Sequence, residues 1–106
     1  MSAPFSLAMT TVATDAKARE IARAALEARL AACVQIFPVR SHYVWKDALC
    51  EEPEIALHFK IRSEDFPALE KLVRALHDYE VPEILRIDLA DGAAAYLEWL
   101  ASATQK

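Results

Sequence analysis

His77-Asp78-Tyr79-Glu80-Val81-Pro82-Glu83-Ile84 separates two hydrophobic periodicities, and the change of period decides the fold. Before it, Leu69, Leu72, Val73 and Leu76 recur at the i, i+3, i+4, i+7 spacing of one helix face. After it, Leu85, Ile87 and Leu89 recur at every second residue, the spacing of one strand face. Pro82 cannot continue a helix and drives Val81 towards an extended conformation. The stretch is therefore a helix exit feeding a strand, with five ionisable side chains on a short, stiff connection. Such connections often carry binding groups on a rigid scaffold. Equally, His77 can simply serve the last carbonyls of a helix C-terminus.

Working outward, the chain of 106 residues is long enough for one domain, 1–106, with a substantial core. It is 55% hydrophobic and 26% charged with a single glycine, a composition too apolar for disorder. A formal charge of −4 and a pI near 5.3 argue against nucleic acid or an anionic membrane as partner, since both demand basic surface. No apolar run approaches the ~18 residues of a membrane helix, and no basic n-region of a secretory signal is present. Cys33 and Cys50 stand alone, without a CxxC pair. These features predict a soluble, cytoplasmic protein.

Phe5 to Ala13 is apolar and partly β-branched, which predicts a first strand. Thr14 or Asp15 offers an N-cap, and Ala18, Ile21, Ala22, Ala25 and Leu26 form the apolar stripe of a helix to about Leu30. From Cys33 the period becomes two, and Pro38 marks a bulge, an edge position or a break between strands. Val39, Ser41, Tyr43 and Trp45 share one face. Lys46-Asp47-Ala48 reads as a hairpin tip, and Ile55, Leu57, Phe59 and Ile61 share a face of the return strand. A second helix starts at Ser63-Glu64-Asp65, tolerating Pro67 in its first turn. A fourth strand spans about Glu83 to Leu89, Asp91-Gly92 makes a turn and cap, and Ala93 to Ala101 forms a last helix.

The order β-α-β-β-α-β plus a C-terminal helix predicts an α+β, ferredoxin-like domain: two helices over one face of a four-stranded antiparallel sheet. The other face carries Tyr43, Trp45 and further apolar neighbours, more than a solvated face should hold. Self-association is the simplest remedy.

Four ordered motifs carry a family resemblance. Glu27-Ala28-Arg29-Leu30-Ala31-Ala32-Cys33-Val34-Gln35-Ile36 resembles a first-helix exit into a long second strand, and Tyr43-Val44-Trp45 a tyrosine/tryptophan pair. Tyr79-Glu80-Val81-Pro82-Glu83-Ile84 and Tyr96-Leu97-Glu98-Trp99-Leu100 complete the set. Together they are similar to the CutA family of divalent-cation tolerance proteins over nearly the whole chain. The resemblance implies a homotrimer whose long strands pair across subunit seams, a link to copper and other divalent metals, and no enzymatic reaction. In some members copper binding is attributed to a cysteine in the first strand and two adjacent histidines at the helix exit. Those positions correspond to Thr10, Leu76 and His77, so one of three donors carries over.

Candidate site residues follow. His77 is the best single metal ligand, and Cys33 is either a small buried hydrophobe or a soft thiolate for Cu(I) or zinc. Cys50, beside Glu51 and Glu52, reads as exposed, and His42 and His58 as sheet residues. The resemblance places Trp45, Lys60, Tyr79 and Glu80 near a subunit-interface cleft, where they hold either a small anionic or zwitterionic ligand or an intersubunit ion pair. Glu51, Glu52 and Glu54 read as solvated strand-edge charges. The competing reading is a PII-like trimeric, small-molecule-sensing regulator or interaction scaffold. The sole glycine, Gly92, leaves it without a Gly-rich loop for nucleotide phosphates.

Overall fold

The computed structural model describes residues 3–106, so the first two residues of the expected domain lie outside the described residues. Along the chain come β1 (Phe5–Val12), α1 (Asp15–Glu27), β2 (Cys33–Trp45), β3 (Ala48–Arg62), α2 (Phe66–Leu76), β4 (Ile84–Asp88) and α3 (Ala94–Ala103). A single 3-10 turn at Ser63–Asp65 leads into α2, whose first turn accommodates Pro67. The strands lie in the order β2-β3-β1-β4, every neighbouring pair antiparallel.

Register assigns the two faces. Ser6, Ala8, Thr10 and Val12 of β1 stand opposite Ile61, Phe59, Leu57 and Ile55 of β3. Side chains alternate across a strand, so these share the face under the helices. There Ala8, Val12, Leu57, Phe59 and Ile61 meet Ala18, Ile21, Ala22 and Ala25 of α1 and Leu69 and Val73 of α2. The small alanines let α1 lie close to the sheet. Full burial of a side chain such as Phe59 or Leu57 contributes about 1.5–3 kcal/mol.

Helix α1 begins as its sequence indicates: the Thr14 Oγ1 accepts from the Lys17 N–H at 3.1 Å. It ends three residues before the expected Leu30. Arg29 adopts a left-handed φ of 58°, while the N–H groups of Arg29 and Leu30 turn back to the carbonyls of Leu26 and Ala25. This is a Schellman cap closed without glycine. Leu26 is consequently off the buried stripe and exposed.

Of the three alternatives at Pro38, the edge position is realised. Strand β2 runs unbroken through Pro38, paired residue for residue with β3 from Cys33↔Lys60 to Trp45↔Ala48, and it is an edge strand of the sheet. Lys46 and Asp47 make a two-residue turn with φ of 49° and 65°, the primed geometry that matches strand twist. Strand β1 stops opposite Ile55, so residues 39–45 and 48–54 form a two-stranded ribbon beyond the main sheet.

The face away from α1 and α2 is not wholly uncovered. Helix α3 folds back over the end of it that carries Lys60 and Arg62. The Arg62 guanidinium donates to the Thr104 Oγ1 at 2.9 Å and to the Ala101 carbonyl at 2.6 Å, and Leu100 is fully buried. Asp91 turns its carboxylate onto the Gly92 N–H rather than onto the helix, whose N-cap is Ala93.

Within the core, the hydroxyl of Thr10 is buried and meets no hydrogen-bond partner among the described residues. An unsatisfied buried hydroxyl costs more than an isosteric methyl. Thr10→Val is expected to raise unfolding free energy by about 1 kcal/mol, measured by urea denaturation with an unchanged m-value.

Candidate functional site

The helix exit is built around His77. Its N–H closes the last turn of α2 on the Val73 carbonyl at 2.9 Å, and its backbone then turns extended, φ −76° and ψ 143°. The Tyr79 N–H donates to Nδ1 of the imidazole at 3.1 Å. With Nδ1 accepting, the ring proton sits on Nε2, which donates to the Thr11 carbonyl at 2.8 Å. His77 thus ties the end of α2 to the end of β1 and fixes where Tyr79 begins. Both ring nitrogens are engaged.

From that anchor the Tyr79 side chain reaches β3, where its hydroxyl donates to the Glu54 Oε2 at 2.7 Å. Glu54 is only 8% exposed, which corrects its reading as a solvated edge charge; Glu51 and Glu52 are exposed as expected. Glu54 lies on the open face, and Tyr79 folds over it. The Tyr79 phenol is pushed well above its ordinary 10.0, first by burial and then by the hydrogen bond to Glu54 and that residue's charge.

Around this pair lies a groove of about 770 Å³ between the ribbon and the segment after α2. Tyr43, Trp45, Glu52, Glu54, Tyr79, Glu80 and Glu83 line it, and no lysine or arginine does. The structure therefore brings together Trp45, Tyr79 and Glu80, as the sequence suggested, but not Lys60. Lys60 lies six residues from Glu54 along β3, about 20 Å away. Its ammonium donates to the Gln35 Oε1 at 2.9 Å and stands 6.0 Å from the centre of the Tyr96 ring. Within one chain, a cleft combining Lys60 with these three residues does not form.

His77 and Cys33 are not neighbours either. Cys33 opens β2 opposite Lys60, whereas Thr11, which His77 contacts, pairs with Ala56. The separation along the strands alone is about 13 Å. Cys33 and Cys50 are both half-buried free thiols. His42 stands 3.9 Å from Glu51 across the ribbon, and His58 packs edge-on against Phe37 with ring centres 4.8 Å apart. Among the described residues, no three His, Cys, Asp or Glu side chains gather to hold a metal ion.

Sequence reasoning missed Glu54, Glu52 and Glu83 as members of the groove. Alternation alone puts Glu54 on the open face; only the landing point of Tyr79 shows that it is buried.

The strand order, the helices on one face and the third helix on the other define an α+β, ferredoxin-like domain. The model of the CutA1 divalent ion tolerance protein family matches residues 6–103. The divalent-cation tolerance protein CutA of Thermus thermophilus is 44% identical over 93 residues, covering 87% of this chain and 90% of that protein. Human protein CutA is 40% identical over 101 residues, 94% of this chain, and the chain spans 56% of that longer protein. Among solved structures, CutA1 from the psychrotrophic bacterium Shewanella sp. SIB1 superposes with a TM-score of 0.95 at 36% identity, covering both chains fully. The periplasmic divalent cation tolerance protein CutA of Archaeoglobus fulgidus gives 0.93 at 33%, over 95% of this chain and 99% of that one. The chain belongs to the CutA1 divalent ion tolerance family.

Tyr79 generates a pH prediction. A phenol whose folded value is raised contributes stability that is complete below 10.0 and disappears as pH rises from there towards the folded value. At neutral pH, Tyr79→Phe should cost about 1 kcal/mol, because the buried Glu54 loses its donor. Above the ordinary tyrosine value the wild-type protein should lose stability more steeply than the variant. Chemical denaturation at several alkaline pH values measures both slopes, and equal slopes would contradict the Tyr79–Glu54 contact.

Proposed function

We propose that the chain acts as a homotrimer in divalent-cation tolerance, without an enzymatic reaction of its own. One observation supports this most. On the open face, Leu85 and Ile87 of β4 are each 51% exposed beside half-buried Leu7 and Met9 of β1. Phe37 and the half-exposed Tyr96 and Trp99 add to the apolar load. A soluble protein rarely leaves such a surface in water. The edges point the same way, because β2 offers thirteen residues of ladder with β3 on one side only. Three copies rather than two is what the resemblance to the family implies.

The metal side of the reading is constrained by the donors. His77 spends both nitrogens on the fold, Cys33 lies at the other end of the sheet, and Thr10 and Leu76 supply no strong ligand. These residues do not fit a copper or zinc ion within one chain. A divalent cation held by this protein would need donors from more than one subunit.

Light scattering should give three times the 11.8 kDa of one chain. Leu85→Asp, whose retained fold is checked by circular dichroism, should shift the mass to that of a monomer. Calorimetric titration with copper should show binding by the trimer that the monomeric variant loses. A monomeric wild-type protein overturns the proposal, and a monomer binding copper as well as wild type overturns the shared-donor part of it.

A further inference from the structure

We propose that His58 and Met9, in the middle of the open face, are one subunit's share of a Cu(I) site that the same two residues of the other copies complete. The inference rests on the self-association proposed above and names the donors that a shared metal site would use.

Register places the pair. On the open face His58 of β3 stands between Gln35 of β2 and Met9 of β1, with Leu85 of β4 next in the row. Partners on one face lie about 5 Å apart at Cβ, so an imidazole and a thioether there can reach one ion. Helix α3 covers the end of this face that carries Arg62, and Tyr79 folds over Glu54 at the other end. His58 lies between those two covers, in the same row as the half-exposed Leu85. Its half-buried ring packs edge-on against Phe37, and neither ring nitrogen meets a hydrogen-bond partner among the described residues. His77, by contrast, has both nitrogens engaged. A second copy laid on this apolar face would therefore take the two nitrogens of His58 out of water unpaired, at a cost. A ligand held between the copies removes that cost.

The donors select the ion. Three copies that turn their open faces inward bring a mid-face residue nearest to the common axis, where each group meets its own images. Imidazoles flanked by thioethers make a soft nitrogen and sulfur set, which favours Cu(I). The row of Gln35, His58, Met9 and Leu85 holds no carboxylate, so magnesium or calcium would lack oxygen donors. Cys33 is not part of the set. It lies diagonally across from His58, and the Lys60 ammonium crosses that diagonal to donate to the Gln35 Oε1 at 2.9 Å. One chain thus offers two soft donors, and the site is incomplete without its copies.

The full-length protein in its native assembly is titrated with Cu(I) supplied as its bicinchoninate complex, whose absorbance falls as the protein takes up the ion. One copper per three chains is expected, the ratio of a site on the common axis. His58→Leu should abolish uptake with the assembly mass unchanged, because leucine suits an apolar seam. Met9→Leu should weaken uptake by about tenfold or more, and Cys33→Ser should leave it at the wild-type level. A ratio of one copper per chain, undiminished uptake by His58→Leu, or loss of uptake in Cys33→Ser overturns the proposal. A wild-type trimer that takes up no Cu(I) overturns it while the trimer reading stands; a monomeric wild-type chain overturns both. The ratio is read on the wild-type protein, so it decides whether or not a variant assembles.

Discussion

The alternation of Leu57, Phe59 and Ile61 along β3 is the constraint from which the rest of the molecule follows. These three side chains are essentially inaccessible, and they commit one face of the central strand to α1 and α2. Because the side-chain period is two, the same commitment sends Glu54, Ala56, His58, Lys60 and Arg62 to the opposite face. Arg62 then meets α3 there, Lys60 meets Gln35, and Glu54 waits where Tyr79 arrives. A slip of one residue would exchange the two sets and turn four titratable side chains, Glu54, His58, Lys60 and Arg62, towards the core. Register is therefore what makes both the core and the groove.

His77 connects this scaffold to the groove in a way that residue type alone does not reveal. A histidine at a helix exit suggests a ligand. Its two ring bonds, to the Thr11 carbonyl and from the Tyr79 N–H, make it a brace instead. The brace sets the path of the next residues, so that the Tyr79 ring stacks obliquely on the imidazole with centres 4.8 Å apart while its hydroxyl reaches β3.

Much of the fold was legible in the residues, because periodicity records which face each element buries. The change of period across His77–Ile84 marked α2 and β4, the Thr14 cap marked α1, and the alternation through Ile61 marked β3. What escaped was set by contacts between distant residues. Pro38 could not announce that its missing donor is harmless at an edge. Arg29 gave no sign of a left-handed cap that glycine usually supplies. The packing of α3 depends on Arg62 reaching two acceptors near the C-terminus, some forty residues away in sequence. Of the cleft residues, Trp45, Tyr79 and Glu80 do converge because turn and helix exit bring them to one end of the sheet. Lys60 shares their face but lies too far along the strand, a distance that face periodicity does not measure.

The ribbon formed by residues 39–45 and 48–54 has a consequence for protein engineering. There its two strands pair only with each other, and the Lys46-Asp47 reversal at its apex is exposed. A loop splice at that apex would leave every side chain beneath α1 and α2 untouched. Foreign epitopes or short recognition peptides grafted there would stand clear of the body of the domain, displayed on a stiff stalk.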